Sequence, residues 1–310
     1  MTDIRSHIAY LRSQLESAYP ADEAEALAWW IAEELSGRSR TQLLFECKDT
    51  TFLANTQTII DRLLHFEPIQ YIFGHTLWAG LDLQLSPATL IPRPETAELV
   101  ERIDNCPFVS IVNQSSNRQS SNRLSSNRQL NVLDIGTGSG CIALALKQRH
   151  PEWQVTGIDI SAEAIDIARQ NALRNHLDVT FLQADIFSDS IEKIINHQSS
   201  ITNHQYDLVV SNPPYICERE RATMGRNVLD YEPASALFVP DDDPLRFYRR
   251  IAQLFSLPFR EGAGVGLFFE INEAFAEEMK QLLREHGYTD IQIYNDIYGK
   301  PRIVCGRMAG

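Results

Sequence analysis

The chain has 310 residues, 44% of them hydrophobic and 22% charged, enough to bury a sizeable core in one large or two smaller domains. Its formal net charge of -13 excludes broad, sequence-independent attraction to nucleic acid, which relies on Lys and Arg neutralising phosphates. No apolar run reaches the length of a membrane span, so no membrane association is expected.

The opening MTDIRSHIAYLRSQL lacks a basic start followed by an apolar core, and a cytoplasmic protein is expected. Residues 1–66 read as short amphipathic helices. Ile4, Ile8, Leu11 and Leu15 recur at helical spacing, as do Ala24, Leu27, Ala28, Ile31 and Leu35 before Gly37. Ile59, Ile60, Leu63 and Leu64 suggest another helix. With six Lys and Arg against ten Asp and Glu, this domain is either a module that recognises a partner or a packing appendage. From Glu67 the pattern changes. Leu81, Leu83 and Leu85 alternate with polar residues, which predicts a strand and makes residues 67–93 a β-hairpin linker. Prolines stiffen the stretch Leu90-Ile91-Pro92-Arg93-Pro94-Glu95-Thr96, and a helix should begin at Pro94 or Glu95, because proline suits a first helical turn. Arg93 stands where a cation could face a substrate pocket, or simply solvent.

Residues 94–310 alternate strand and helix. Strands are predicted at 130–135, 155–160, 179–182, 206–211 and 267–270, followed by a helix to His286 and two closing strands. Ser161 is placed to cap the helix that runs through Asn171. Two polar insertions near 113–129 and 188–205 interrupt this pattern. The first repeats Ser-Ser-Asn-Arg three times from Ser115, with almost no apolar content, and reads as a disordered loop. The second holds His197 and His204 without metal-ligand spacing. Five scattered cysteines, Cys47, Cys106, Cys141, Cys217 and Cys305, read as reduced thiols, with no metal site.

Alternating strands and helices define an α/β fold, a mostly parallel, doubly wound sheet whose ligands bind beyond the carboxyl ends of the strands. Four such ends carry polar groups: Asp134 followed by Gly136-Thr137-Gly138-Ser139-Gly140, then Asp159, Asp185 and Asn212. The glycines let a ligand approach the backbone, but their spacing is that of neither a dinucleotide fingerprint nor a phosphate loop. Asp159, at the second strand end, is where an acid grips ribose hydroxyls. Together these residues point to a nucleoside-type ligand. The fourth strand runs Val209-Val210-Ser211 into Asn212-Pro213-Pro214-Tyr215. Neither proline has an N–H, so the turn offers carbonyl oxygens, the Asn212 amide oxygen and the Tyr215 ring. Such a site suits a planar –NH2 group held in place, with no base required; the alternative is a proline-rich strand exit.

The motifs LDIGTGSG, GIDIS, QADIF and SNPPYI, with IPRPET and QYIFG upstream, resemble those of the HemK/PrmC family of protein-(glutamine-N5) methyltransferases, from Glu67 to Arg302 and loosely into the N-terminal helices. The resemblance implies a Rossmann-like S-adenosylmethionine-dependent methyltransferase fold, acting on the glutamine of the Gly-Gly-Gln motif in peptide chain release factors. By that likeness Gly136, Thr137, Gly138, Ser139 and Gly140 cradle the methionine part and Asp159 holds the ribose. Asp185 and Ile186 flank adenine, and Asn212, Pro213, Pro214 and Tyr215 bind the substrate glutamine. Asn212 Oδ1 and the Pro213 carbonyl would each accept one amide hydrogen, which fixes the nitrogen for in-line displacement. The chain departs from the family at Ile186, where some relatives carry an aromatic, at Glu270-Ile271-Asn272, where a glycine is commoner, and in the two insertions. A methyltransferase acting on an adenine amine, or a non-catalytic adapter with the same fold, are the rival readings.

Overall fold

Apolar residues three and four apart along the first helices meet on one face, and that face forms the N-terminal core. The computed structural model describes residues 4–46, 51–53, 56–106, 109, 129–192, 206–256 and 264–308. The serine-rich repeat up to residue 128 and the polar stretch 193–205 lie outside the described residues. The chain divides into two compact units, Met1–His75 with Met224–Tyr231, and Thr76–Thr223 with Glu232–Gly310.

The first unit contains α1 (Ile4–Leu15), α2 (Ala21–Ser36), α3 (Arg40–Glu46), α4 (Gln57–Leu64) and α5 (Ile69–Phe73). The α1 stripe Ile4, Ile8, Leu11 and Leu15 is buried, as the spacing predicts. The α2 helix stops at Gly37, whose φ of 64° lets its N–H return to the Glu33 carbonyl. Residues 69–73, expected within the linker, instead form α5, and Ile69 joins the helical core. The late segment around the short helical turn Arg226–Leu229 also belongs here: Arg226 lies over the Phe66 ring, and the Tyr231 hydroxyl donates to the His65 carbonyl at 3.0 Å.

The second unit opens at Thr76, within the two-stranded sheet of β1 (His75–Trp78) and β2 (Leu81–Gln84), followed by α6 (Pro94–Asp104), which starts at Pro94 as expected. Next come β3 (Asn131–Ile135), α7 (Cys141–Arg149), β4 (Gln154–Asp159), α8 (Ala162–Arg174), β5 (Thr180–Gln183) and β6 (Leu208–Ser211). A short parallel pair, β7 (Ile216–Cys217) and β8 (Phe238–Val239), precedes α9 (Arg246–Leu254), β9 (Gly266–Glu270), α10 (Ala276–Glu285), β10 (Thr289–Asn295) and β11 (Pro301–Arg307).

The main sheet has seven strands in the order β10-β11-β9-β6-β3-β4-β5. The five strands from β9 to β5 run parallel, and β11 is antiparallel to both of its neighbours. Period-two alternation sends Leu208 and Val210 to one face and Val209 to the other. On the first face they meet Leu99 of α6, Leu144 of α7 and Ala168 of α8; on the second lie Ile251 of α9 and Met279 of α10. Both faces are covered, hence the doubly wound sheet. After β5 the chain returns across β3 to β6, so the crevice where connections diverge lies between the carboxyl ends of β3 and β6.

Candidate active site

Strand register sets the site. Ile135 pairs with Ser211, Ser211 with Phe269, and Asp159 with Gln183, so the residues that end β3, β4, β6 and β9 share one edge of the sheet. A cavity of about 470 Å³ opens there, a size suited to a nucleoside-type ligand. Its lining includes Gly136, Thr137, Gly138, Ser139, Asp159, Asp185, Ile186, Asn212, Pro213, Pro214 and Arg93. Gly140 and Tyr215 are not on that lining. Gly140 sits beneath the loop, where a Cβ would meet the Phe181 ring at 3.0 Å and the φ of +83° favours glycine. Tyr215 instead reaches Glu270.

The glycine loop is held from below. The Gly136 and Thr137 N–H groups donate to the Ile158 carbonyl, and Thr137 Oγ1 donates to Asp134 Oδ2 at 2.6 Å. The Ala143 N–H, in the first turn of α7, donates to the same oxygen, while Asp134 Oδ1 is buried with no partner. Burial pushes the Asp134 carboxyl up to about 7, against the pull of these two donors. Asn171 of α8 ties the loop to β2: its amide donates to the Ser139 and Gln84 carbonyls and accepts the Gln84 N–H.

Asp159 is locked by backbone. Oδ2 accepts from the Gly138 N–H and Oδ1 from the Ser161 N–H, both at 2.9 Å. Burial raises its carboxyl above the ordinary range, and those N–H groups pull it back. Ser161 caps α8 as the sequence predicts, accepting from the Ala164 N–H. Asp185 turns its Oδ1 back to the Phe187 N–H. Beside it the half-exposed Phe187 ring packs edge-on against Phe247, with the Arg246 guanidinium 4.8 Å over Phe187. All three line the cavity, so an aromatic surface stands next to the aliphatic Ile186.

At the other end Asn212 Nδ2 donates to Thr96 Oγ1 at 3.2 Å, Thr96 Oγ1 lies 2.7 Å from Glu270 Oε2, and the Tyr215 hydroxyl donates to Glu270 Oε1 at 3.0 Å. Glu270 is 1% exposed, and burial raises its carboxyl above the ordinary range. Burial and the neighbouring Glu270 keep the Tyr215 hydroxyl protonated. Asn272 donates to the Tyr215 carbonyl and to Glu220. Arg93 is paired at 2.6 Å with Glu232, which is buried and also accepts the Ile91 N–H. Sequence reasoning assigned no role to Glu270, Glu232, Phe187 or Phe247. For Glu270 there was a signal: an acid ending the apolar run Leu267-Phe268-Phe269, as Asp134 and Asp159 nearly end theirs.

The residues present fit S-adenosylmethionine. At Gly136 and Gly138, with φ of +71° and +56°, a Cβ would find no atom within 4 Å, so the loop leaves open space for a ligand against its backbone. The Ser139 hydroxyl is buried without a partner, and Asp159 lines the same cavity with acceptors fixed in place.

A doubly wound sheet with this strand-end arrangement defines a Rossmann-like methyltransferase. Residues 7–74 match the PrmC N-terminal domain, and residues 121–230 match the methyltransferase small domain. The chain is 40% identical over 303 residues to the release factor glutamine methyltransferase of Bacteroides thetaiotaomicron, covering 96% of this chain and 97% of that one. It is 35% identical to the enzyme of the same name from Flavobacterium psychrophilum, covering 97% and 98%. Among solved structures, the hMettl16 catalytic domain in complex with the MAT2A 3'UTR hairpin 6 shares the fold, with a TM-score of 0.52, 14% identity and coverage of 74% and 76%. The chain belongs to the release factor glutamine methyltransferase family.

Proposed function

We propose that this chain transfers a methyl group from S-adenosylmethionine to the side-chain amide nitrogen (N5) of the glutamine in the Gly-Gly-Gln motif of peptide chain release factors. The observation that carries the reading is the Asn212-Pro213-Pro214 turn in one cavity with the glycine loop and Asp159, in a chain 40% identical to a release factor glutamine methyltransferase. Gly136 to Ser139 would hold the methionine part, with Gly140 beneath them, Asp159 the ribose, and Asp185 and Ile186 the adenine beside Phe187. When bound, S-adenosylmethionine supplies a methyl group on a sulfonium centre.

The chain's part in the reaction is positioning. Asn212 Oδ1 and the Pro213 carbonyl each accept one hydrogen of the glutamine –NH2, which fixes the direction of the nitrogen lone pair and removes most of its rotational freedom. Pro214 keeps a competing N–H out of the turn, and Arg93 shapes the wall beside the glutamine, while Tyr215 holds Glu270. An amide nitrogen is a poor nucleophile, so geometry and exclusion of water supply the rate. No side chain need take its proton before methylation, since that proton becomes acidic only afterwards.

The net charge of -13 favours a protein over a polyanionic acceptor, so no direct nucleic-acid binding is expected. Among the described residues no helix is long and apolar enough to cross a membrane, and the proposed substrate would place the enzyme in the cytoplasm. The test is mass spectrometry of a release-factor fragment after incubation with the protein and S-adenosylmethionine, with an adenine-containing oligonucleotide as control acceptor. One methyl group on the glutamine peptide is expected. Methylation of the oligonucleotide alone would overturn the substrate assignment.

A further inference from the structure

Thr96 and Glu270 lie on different elements, 174 positions apart in the chain, and meet at Asn212. Thr96 is in the first turn of α6 and 2% exposed; Glu270 ends β9 and is 1% exposed. A hydroxyl carries one hydrogen, and an ionised carboxylate can only accept. With Thr96 Oγ1 at 2.7 Å from Glu270 Oε2, that hydrogen is committed to the carboxylate. The Thr96 oxygen can then only accept, and the half of the Asn212 amide facing it must be the –NH2. Turned by half a rotation, Asn212 would set its oxygen against lone pairs, with no hydrogen between them, in a buried site where an unmade hydrogen bond is costly.

We propose that Thr96 and Glu270 are positioning residues that fix the orientation of the Asn212 amide, so that Oδ1 faces the substrate and the site accepts an amide –NH2 while rejecting a carboxylate. The Tyr215 hydroxyl occupies the other carboxylate oxygen at 3.0 Å, so each oxygen of Glu270 holds one donor from the substrate end of the site. The Tyr248 hydroxyl donates to the Glu270 main-chain carbonyl at 2.9 Å and anchors that strand end. Burial raises the Glu270 carboxyl; the Thr96 and Tyr215 hydroxyls and the Arg302 charge favour its ionised form, and the Glu95 charge opposes it. The selectivity follows from donor and acceptor count. A glutamine presents two hydrogens to Asn212 Oδ1 and the Pro213 carbonyl. A glutamate presents only lone pairs to the same oxygens.

This inference rests on the glutamine reading above, and the experiment separates the two. Release-factor fragments carrying Gly-Gly-Gln and Gly-Gly-Glu are compared, the first as substrate and the second as inhibitor, on the wild type, Thr96→Val and Thr96→Ser. In Thr96→Val the Asn212 amide is free to turn. Turnover of the glutamine fragment should fall by about tenfold or more, and the preference for glutamine over glutamate should shrink by a similar factor. Cofactor affinity should hold, and Thr96→Ser, which keeps the hydroxyl, should restore both values. A merely structural role would weaken both fragments equally and leave their ratio alone. Should Thr96→Val fail to fold, Glu270→Gln reads the same ratio, because its single amide oxygen can serve only one of the two hydroxyls. An unchanged ratio in a folded variant, or failure of serine to restore it, overturns the proposal. A wild type that does not methylate the glutamine fragment at all would instead overturn the substrate reading.

Discussion

At the glycine-loop end of the cavity, Asp159 is gripped by main-chain N–H groups, those of Gly138 and Ser161, 21 and 2 positions away. At the Asn212 end the grip comes from side chains, Thr96 at 116 positions from Asn212 and Glu270 at 55 positions from Tyr215. Main-chain donors persist whatever side chain a position carries. Side-chain partners vanish with one substitution. The cofactor end should therefore tolerate change around its key acid, and the substrate end should not.

The sharpest break of this contrast is Asn212→Ala. It removes one of two acceptors for the substrate amide, and turnover should fall by roughly a hundred- to a thousandfold, as when one preorganised polar contact is deleted. Affinity for S-adenosylmethionine, read by calorimetry, should change far less. Parallel losses of turnover, cofactor affinity and melting temperature would mean that the turn only shapes the fold.

The difference also explains what the sequence showed. The glycine loop, Asp159, the Ser161 cap and the Pro94 helix start were legible because each depends on neighbours in the chain. The Asn-Pro-Pro-Tyr turn was legible for the same reason, since two prolines after a buried strand force an exit. The roles of Thr96 and Glu270 were not, because they arise only once β9, α6 and β6 are brought together. The helix over residues 69–73 leaves no sequence signal because five residues are too few to display a helical period, and β7 and β8, at two residues each, carry no period at all.

A second test probes the floor of the loop. The ordinary Asp134 value of 3.8 rises to about 7 in the folded chain. Well below 3.8 the carboxyl is protonated whether the chain is folded or not. Between 3.8 and about 7 the unfolded chain ionises while the folded one stays neutral, so stability falls as pH rises and the loss is complete above about 7. The window amounts to at most on the order of 4 kcal/mol. Asp134→Asn keeps an acceptor for Thr137 and Ala143 and does not ionise. Melting curves at pH 5 and pH 8 should show the wild type losing more stability than the variant over that range. Equal slopes would show that Asp134 ionises as readily in the folded chain as in the unfolded one.

Next in size is Asp159→Ala. Losing a fixed, partly desolvated acceptor should weaken S-adenosylmethionine binding by about 1–3 kcal/mol, with turnover at saturating cofactor little altered. Unchanged affinity would mean that the ribose is held elsewhere. Together with Asn212→Ala this forms a crossed pair, one variant mainly affecting cofactor binding and the other mainly the methyl-transfer step.

The smallest effect should come from Ser161→Ala, and it discriminates most finely between the two kinds of grip. The Ser161 side chain accepts from the Ala164 N–H at 3.1 Å and caps α8, whereas its main-chain N–H, at 2.9 Å, holds Asp159. Alanine deletes the first contact and keeps the second. Stability should drop by about 1 kcal/mol, the usual loss when a serine cap becomes alanine, visible as a modest fall in melting temperature. Cofactor affinity should stay within about twofold, because a donor on the main chain survives the substitution. A fall in affinity as large as that of Asp159→Ala would show that the hydroxyl itself takes part in the cofactor site, and the division between a main-chain end and a side-chain end would then fail at its nearest residue.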